Sequence, residues 1–160
     1  MIFVTVGHLP FPRLIKSMDD LSKEAGFKVT MQIVSAKDYA PKNADIFDFI
    51  PSDKIDKYFE QSDLIVSHCS SGPILKSKEY KKPLVILPRR KIYKEHIDDH
   101  QMDFAKAIEM NKVNGIWVVY DEADLKRVIL KVLSFGFKVS EKDNDKVRMI
   151  ATIKNFLNQT

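Results

Sequence analysis

Apolar residues in this chain fall into two kinds of run that alternate along its length. Short continuous runs, Ile2 to Val6, Phe27 to Val34, Ile46 to Ile50, Leu64 to Val66, Leu84 to Leu87 and Ile116 to Tyr120, have the form of strands buried on both faces. Between most of them the apolar positions recur at helical spacing. Leu14, Ile15, Met18 and Leu21 predict a helix from Phe11 to about Ala25 that stops at Gly26, and Pro51-Ser52-Asp53 opens another that carries Ile55, Tyr58 and Phe59 through roughly Gln61. Asp98 or Asp99 caps a helix with Met102, Ala105, Ile108 and Met110, and Asp121 caps one with Leu125, Val128, Ile129 and Val132. Ser140-Glu141-Lys142-Asp143 resembles a capping sequence before a last helix bearing Val147, Ile150, Ile153 and Leu157, while Ser35 to Ala44 reads as a polar loop. Strands alternating with helices predict an α/β fold, a single Rossmann-like doubly wound parallel sheet with helices on both faces.

The stretch Ser67-His68-Cys69-Ser70-Ser71-Gly72-Pro73-Ile74-Leu75 stands at the centre of this pattern, as a tight polar turn between a strand and a short helix. In a parallel sheet such a turn lies at the carboxyl end of its strand, where small residues let backbone N–H groups approach an anion at the next helix's N-terminus. A phosphate or nucleotide site is one reading, and a plain connection in which Ser and Gly only make the turn is the other.

Composition narrows the class. A chain of 160 residues with 44% hydrophobic content fits one domain, 1–160, with one core. No apolar run approaches the roughly 20 residues that cross a bilayer, and Met1 to Val6 lacks the basic start of a signal peptide, so a cytoplasmic location is expected. The single cysteine, Cys69, excludes an internal disulfide. The net charge of +4 is concentrated at Arg89-Arg90-Lys91 and Lys94, a cluster suited to phosphates, anionic lipid or RNA, or to a solvated surface.

All four histidines, His8, His68, His96 and His100, follow predicted strands, so a parallel sheet would gather them on one rim, where imidazole donates to phosphate or accepts a proton. His96 and His100 with Asp98 and Asp99 between them have a spacing that a metal could use, but neither CxxC nor HExxH is present, and no metal is expected. Ser70 or Ser71 beside His68 lacks the G-x-S-x-G elbow of a serine hydrolase, and the G-x-G-x-x-G dinucleotide fingerprint is absent too.

Three blocks together carry a resemblance: Met1-Ile2-Phe3-Val4-Thr5-Val6-Gly7; Val66-Ser67-His68 with Gly72 and Ile74-Leu75; and Pro88-Arg89-Arg90-Lys91 with Glu95-His96-Ile97-Asp98-Asp99-His100-Gln101. In this order they resemble the carboxyl-terminal domain of family 28 glycosyltransferases, closest to the small cytosolic subunit of two-chain UDP-sugar transferases. The resemblance implies the donor-binding half of a GT-B enzyme. The turn from His68 through Ser70 and Ser71 to Gly72 would hold the diphosphate, and Asp98, His100 and Gln101 would face the donor sugar, with Gly7, His8, Arg89 and Arg90 around them. Where the family has a ribose-gripping glutamate this chain has Lys76, and Glu79 is the nearest carboxylate, one helical turn on.

What the resemblance implies is a donor-binding subunit of an inverting glycosyltransferase that moves a sugar of the N-acetylglucosamine or glucose type from a UDP-sugar to a lipid-linked acceptor. A membrane-bound acceptor-binding partner would bring that acceptor and hold this chain at the membrane periphery. No cofactor and no nucleic acid enters the scheme. The alternative is a scaffold subunit of the same kind of complex that does not bind the donor.

Overall fold

In the computed structural model, which describes residues 1–34, 39–136 and 143–157, the apolar runs form six strands, all parallel. They are β1 (Ile2–Thr5), β2 (Val29–Gln32), β3 (Asp45–Phe47), β4 (Leu64–His68), β5 (Leu84–Leu87) and β6 (Ile116–Val118), in the spatial order β3-β2-β1-β4-β5-β6. The helices are α1 (Pro12–Ala25), α2 (Ser52–Gln61), α3 (Ser71–Glu79), α4 (His100–Met110), α5 (Leu125–Ser134) and α6 (Asp143–Leu157). This is the doubly wound architecture that the alternation of patterns predicts.

Side-chain parity along the strands separates two cores. Ile2, Val4, Leu64, Val66, Val85 and Leu87 face α1 and α5, where Leu14, Ile15, Met18, Leu125, Ile129 and Val132 are buried. Phe3, Ile65, Leu84 and Ile86 face the other way, onto Phe59 of α2, Ile74 of α3, Phe104, Ala105 and Ile108 of α4, and Met149 and Ile153 of α6. Phe3 is fully buried and stacks on Phe47 and Tyr58, with Phe59 edge-on, at centroid separations of 6.2, 5.3 and 5.4 Å. Deleting such a ring from a packed core costs about 3–5 kcal/mol.

Several local expectations are corrected. Ser67 and His68 belong to β4, so the central turn is only Cys69 and Ser70 before α3 begins. The core stripe of α4 is Gln101, Phe104, Ala105 and Ile108, and Met110 is 82% exposed. Asp99 occupies the N-cap position of α4 but its carboxylate accepts the N–H of Lys91 at 2.9 Å, while Asp98 accepts that of His100 at 3.1 Å. Asp121 does cap, accepting the N–H of Ala123 in a 3₁₀ turn (Glu122–Asp124) that leads into α5. Ser140 to Lys142, Ser35 to Asp38, and the side chains of Val147 and Leu157 lie outside the described residues.

Candidate functional site

The strand order reverses direction between β1 and β4, and the segment leaving the carboxyl end of β4 forms one side of an open cleft. Such a switch point is where doubly wound sheets leave room for a ligand. Gly7 follows β1 with φ of +70°, which favours glycine, and it packs on the ring of His68 so closely that a Cβ would lie 2.9 Å from Cε1. The Gly7 carbonyl accepts from Gln32 Nε2 at 3.0 Å, and Gln32 Oε1 in turn accepts from Thr5 Oγ1 at 2.7 Å. The β1 exit is thereby fixed from beneath.

His68 itself is buried, at 6% exposure. Burial, with the nearby Arg89 guanidinium adding to it, pulls its pKa down to about 3, so the ring is neutral at ordinary pH. His8 and His96 are further neighbours whose charge acts on it in the same direction. One ring nitrogen contacts Ser67 Oγ at 3.2 Å and the other contacts Ser70 Oγ at 2.8 Å. His68 stands behind the turn and positions Ser70, and it is not a group that faces solvent in the cleft.

Ser70 is the N-cap residue of α3, yet its hydroxyl makes no cap. The usual cap bond goes to the N–H of the second or third helical residue, and Pro73 at the third position has none. No side chain closes this helix end, so the first-turn N–H groups of Ser71 and Gly72 are left for a ligand. Gly72 is exposed, with open space where a Cβ would project. The cleft beside this helix end measures about 180 Å³; its wall is Cys69, Ser70 and Ser71 on one side and His96, His100 and Gln101 on the other, over an apolar floor of Phe104, Ile153 and Phe156. Burial raises the Cys69 thiol far above its usual range, which leaves it inert.

The far wall is built by the loop between β5 and α4, and polar residues that the sequence pattern does not single out hold it. Arg13 of α1 donates to Glu95 through Nε at 2.7 Å and Nη2 at 2.9 Å, to Glu122 through Nη1 at 2.8 Å, and to the carbonyl of Pro88 at 3.0 Å. Burial works to lower the Arg13 pKa, but its bonds to Glu95 and Glu122 outweigh it and the guanidinium stays charged. Glu95 also accepts the N–H of Arg90 at 2.9 Å, and Tyr93 stacks under both Arg13 and Arg90. Asp98 then links His96 Nδ1 at 2.8 Å to the start of α4, with His100 Nε2 3.5 Å from its second oxygen. Slight desolvation raises the Asp98 pKa, but the bonds from His100 and His96 win and hold it below the usual carboxylate range.

Of the residues expected at the site, Ser70, Ser71, His100 and Gln101 line one cleft, with Gly72 and Asp98 adjoining it and Gly7 supporting it. His8 is exposed on the same rim. Arg89 is not part of a basic surface: it shares the parity of Val85 and Leu87, lies 2% exposed over the ring of Phe11, and donates to the carbonyls of Val6 and Leu9 at 2.8 and 2.6 Å. Burial lowers its pKa to about 10. The side-chain carbonyl of Gln101 is taken by the N–H of Arg89 at 3.0 Å. Glu79 is exposed at the far end of α3, about 12 Å along the axis from Ser71, and does not join the cleft. Lys76 turns to α2 and pairs with Asp56 over the ring of Phe59.

A doubly wound parallel sheet, with a helix end that no side chain caps beside an open cleft, places the chain among the Rossmann-like α/β domains. More particularly, the chain belongs to the glycosyltransferase family 28 C-terminal domain, whose family model matches residues 1–156. Over 75 residues it is 36% identical to the UDP-N-acetylglucosamine transferase subunit ALG13 of Candida albicans, a match that covers 46% of this chain and 24% of that protein. The matched segment thus spans about a quarter of the length of that relative. An NMR solution structure of ALG13 superposes with a TM-score of 0.62 at 18% identity, covering 98% of this chain and 96% of that one. MurG of Acinetobacter baumannii, at TM-score 0.57 and 15% identity, and the spinosyn rhamnosyltransferase SpnG complexed with thymidine diphosphate, at 0.58 and 13%, each match 98% of this chain over 44% and 41% of their own. At these identities the likeness is one of fold, and of MurG and SpnG this domain matches less than half. No helix among the described residues is long and apolar enough to cross a membrane.

Proposed function

We propose that this chain is the donor-binding subunit of an inverting glycosyltransferase that moves a sugar from a UDP-sugar to a lipid-linked acceptor, in complex with a membrane-bound partner. The observation that carries the reading is the uncapped N-terminus of α3, with Ser71 lining the cleft and Gly72 adjoining it, in a domain of a glycosyltransferase family. In an inverting transfer the acceptor hydroxyl attacks the anomeric carbon as the bond to the diphosphate breaks, and a base takes the hydroxyl proton. The first-turn amides of α3 would stabilise the charge that develops on the departing diphosphate. Among the described residues no carboxylate lines the cleft, and the adjoining Asp98 is engaged by His96 and His100, so the base falls to the partner. The cleft of about 180 Å³ is smaller than the ~300–1,000 Å³ of complete small-molecule sites, which agrees with a site finished by a second protein.

A second reading has one specific observation in its favour. Lys76 lies where the family resemblance places a ribose-binding glutamate, and it is paired with Asp56, so the chain would be a scaffold that docks the partner without holding the donor. Calorimetric titration of UDP onto the chain separates the two, because a scaffold takes up none. The transfer reading is tested by co-expressing the chain with a membrane-associated partner and assaying sugar transfer to a lipid-linked acceptor. Activity is expected from the pair and not from this chain alone, and it should fall at least tenfold on His100→Ala with the fold intact. Full transfer by the chain without any second protein would overturn the split-enzyme reading.

A further inference from the structure

The hydroxyl of Ser70 has a fixed polarity, and the bonds beneath it show which. Ser67 Oγ lies 2.7 Å from the Thr5 carbonyl and 3.2 Å from His68 Nδ1. A carbonyl only accepts, so the one hydroxyl proton of Ser67 is committed to Thr5, and at Nδ1 the Ser67 oxygen must accept. Nδ1 therefore carries the ring proton. Because the ring is neutral, Nε2 is bare, and it takes the proton of Ser70 across 2.8 Å. Ser70 has no other proton. It presents only lone pairs to the cleft that it lines, and Pro73 removes the helix N–H that would most often occupy them.

A phosphate oxygen has lone pairs of its own and cannot bond to such an atom. We propose that Ser70 is a hydrogen-bond acceptor in the cleft, held in that role by His68, and that it selects ligands carrying an O–H or N–H donor beside the phosphate bound at the start of α3. Ser71 and Gly72 amides then serve the anion while Ser70 serves the group attached to it, a sugar hydroxyl or an acetamido N–H. His68 acts through Ser70 and is a positioning residue. This assignment rests on the donor-binding reading for the identity of the ligand, but not for the direction of the hydrogen bonds.

The direction is tested without any ligand, by long-range ¹H–¹⁵N NMR of the His68 ring in the full chain at pH 7. A neutral ring protonated on Nδ1 is expected, and a ring protonated on Nε2, or on both nitrogens, overturns the proposal. The selectivity is tested by titrating inorganic pyrophosphate, UDP, UDP-glucose and UDP-N-acetylglucosamine onto the wild type, Ser70→Ala and Ser70→Thr. One neutral hydrogen bond corresponds to about a 3- to 10-fold change in affinity. Ser70→Ala should lose that factor for a UDP-sugar and less than twofold for UDP and pyrophosphate, with Ser70→Thr restoring it. The loss falls on both sugars if a hydroxyl is read, and on the N-acetylated one alone if the amide is. Equal losses for pyrophosphate and UDP-sugars, or no loss for any, would overturn it. If the wild type binds none of the four, the donor-binding reading fails and this ligand fails with it, while the ring tautomer still decides whether Ser70 is an acceptor.

Discussion

A side chain at Gly7 meets two separate obstacles: a φ of +70° and the His68 ring 2.9 Å from where its Cβ would lie. The left-handed conformation alone costs an alanine about 1–2 kcal/mol. Gly7→Ala should lower the unfolding free energy by at least that much in urea titrations, and should shift the His68 ring resonances; a loss below about 0.5 kcal/mol would mean the two do not pack as described. His68 also sets a pH dependence whose sign follows from its low folded pKa. The unfolded chain binds a proton near the ordinary histidine value of about 6.5, whereas the folded chain does so only near 3. Stability from this group is therefore complete above pH 6.5 and drains away as pH falls towards 3, at a slope of up to about 1.4 kcal/mol per unit. His68→Gln should flatten the profile between pH 6.5 and 4.5, and an unchanged slope in that variant would assign the dependence to other groups. Below that window Asp19 takes over: burial raises its pKa, but bonds from Tyr39, Asn43 and Lys42 win and hold it below its usual value, so its contribution is lost only as pH falls through that range.

At the scale of elements, α1 does more than cover the sheet. Through Arg13 it grips Glu95 and with it the loop that forms the far wall of the cleft, a contact 82 residues apart in sequence. The Glu95 side chain is 6% exposed, so removing its partner strands a buried charge, a loss of about 3–5 kcal/mol. Arg13→Ala should cost that much in global stability and should speed hydrogen exchange at the Arg90 amide, which Glu95 holds. Normal exchange there would show the loop to be held by something else. Nothing in the local pattern flags Arg13 or Glu95, because each is an ordinary charged residue until the fold places them together. Asp19 is different: it lies four residues after Ile15 and beside Met18, on the apolar stripe of α1, and a carboxylate on that stripe is a legible sign of a buried polar contact.

For the molecule as a whole, the sequence patterns yield all six strands and the doubly wound class, since strands buried on both faces and amphipathic helices have different periods. Strand order is not written in those periods, and neither is the identity of the switch point between β1 and β4; both depend on pairings between distant segments. The site was readable in part. Ser70, Ser71 and Gly72 are found where a strand-to-helix turn must lie, but Arg89 looks basic and exposed in the sequence, and only its parity with Val85 and Leu87 turns it inward. His68 looks like a cleft imidazole until β4 is seen to run through it.

Whether the start of α3 holds the diphosphate of a nucleotide-sugar is decided by mapping UDP onto the chain through the shifts of its backbone amides. Saturable changes are expected, centred on the Ser71 and Gly72 N–H groups, spreading to His100 across the cleft and leaving the Lys76–Asp56 side of α2 and α3 unmoved. No saturable change, or one centred away from the start of α3, would contradict it.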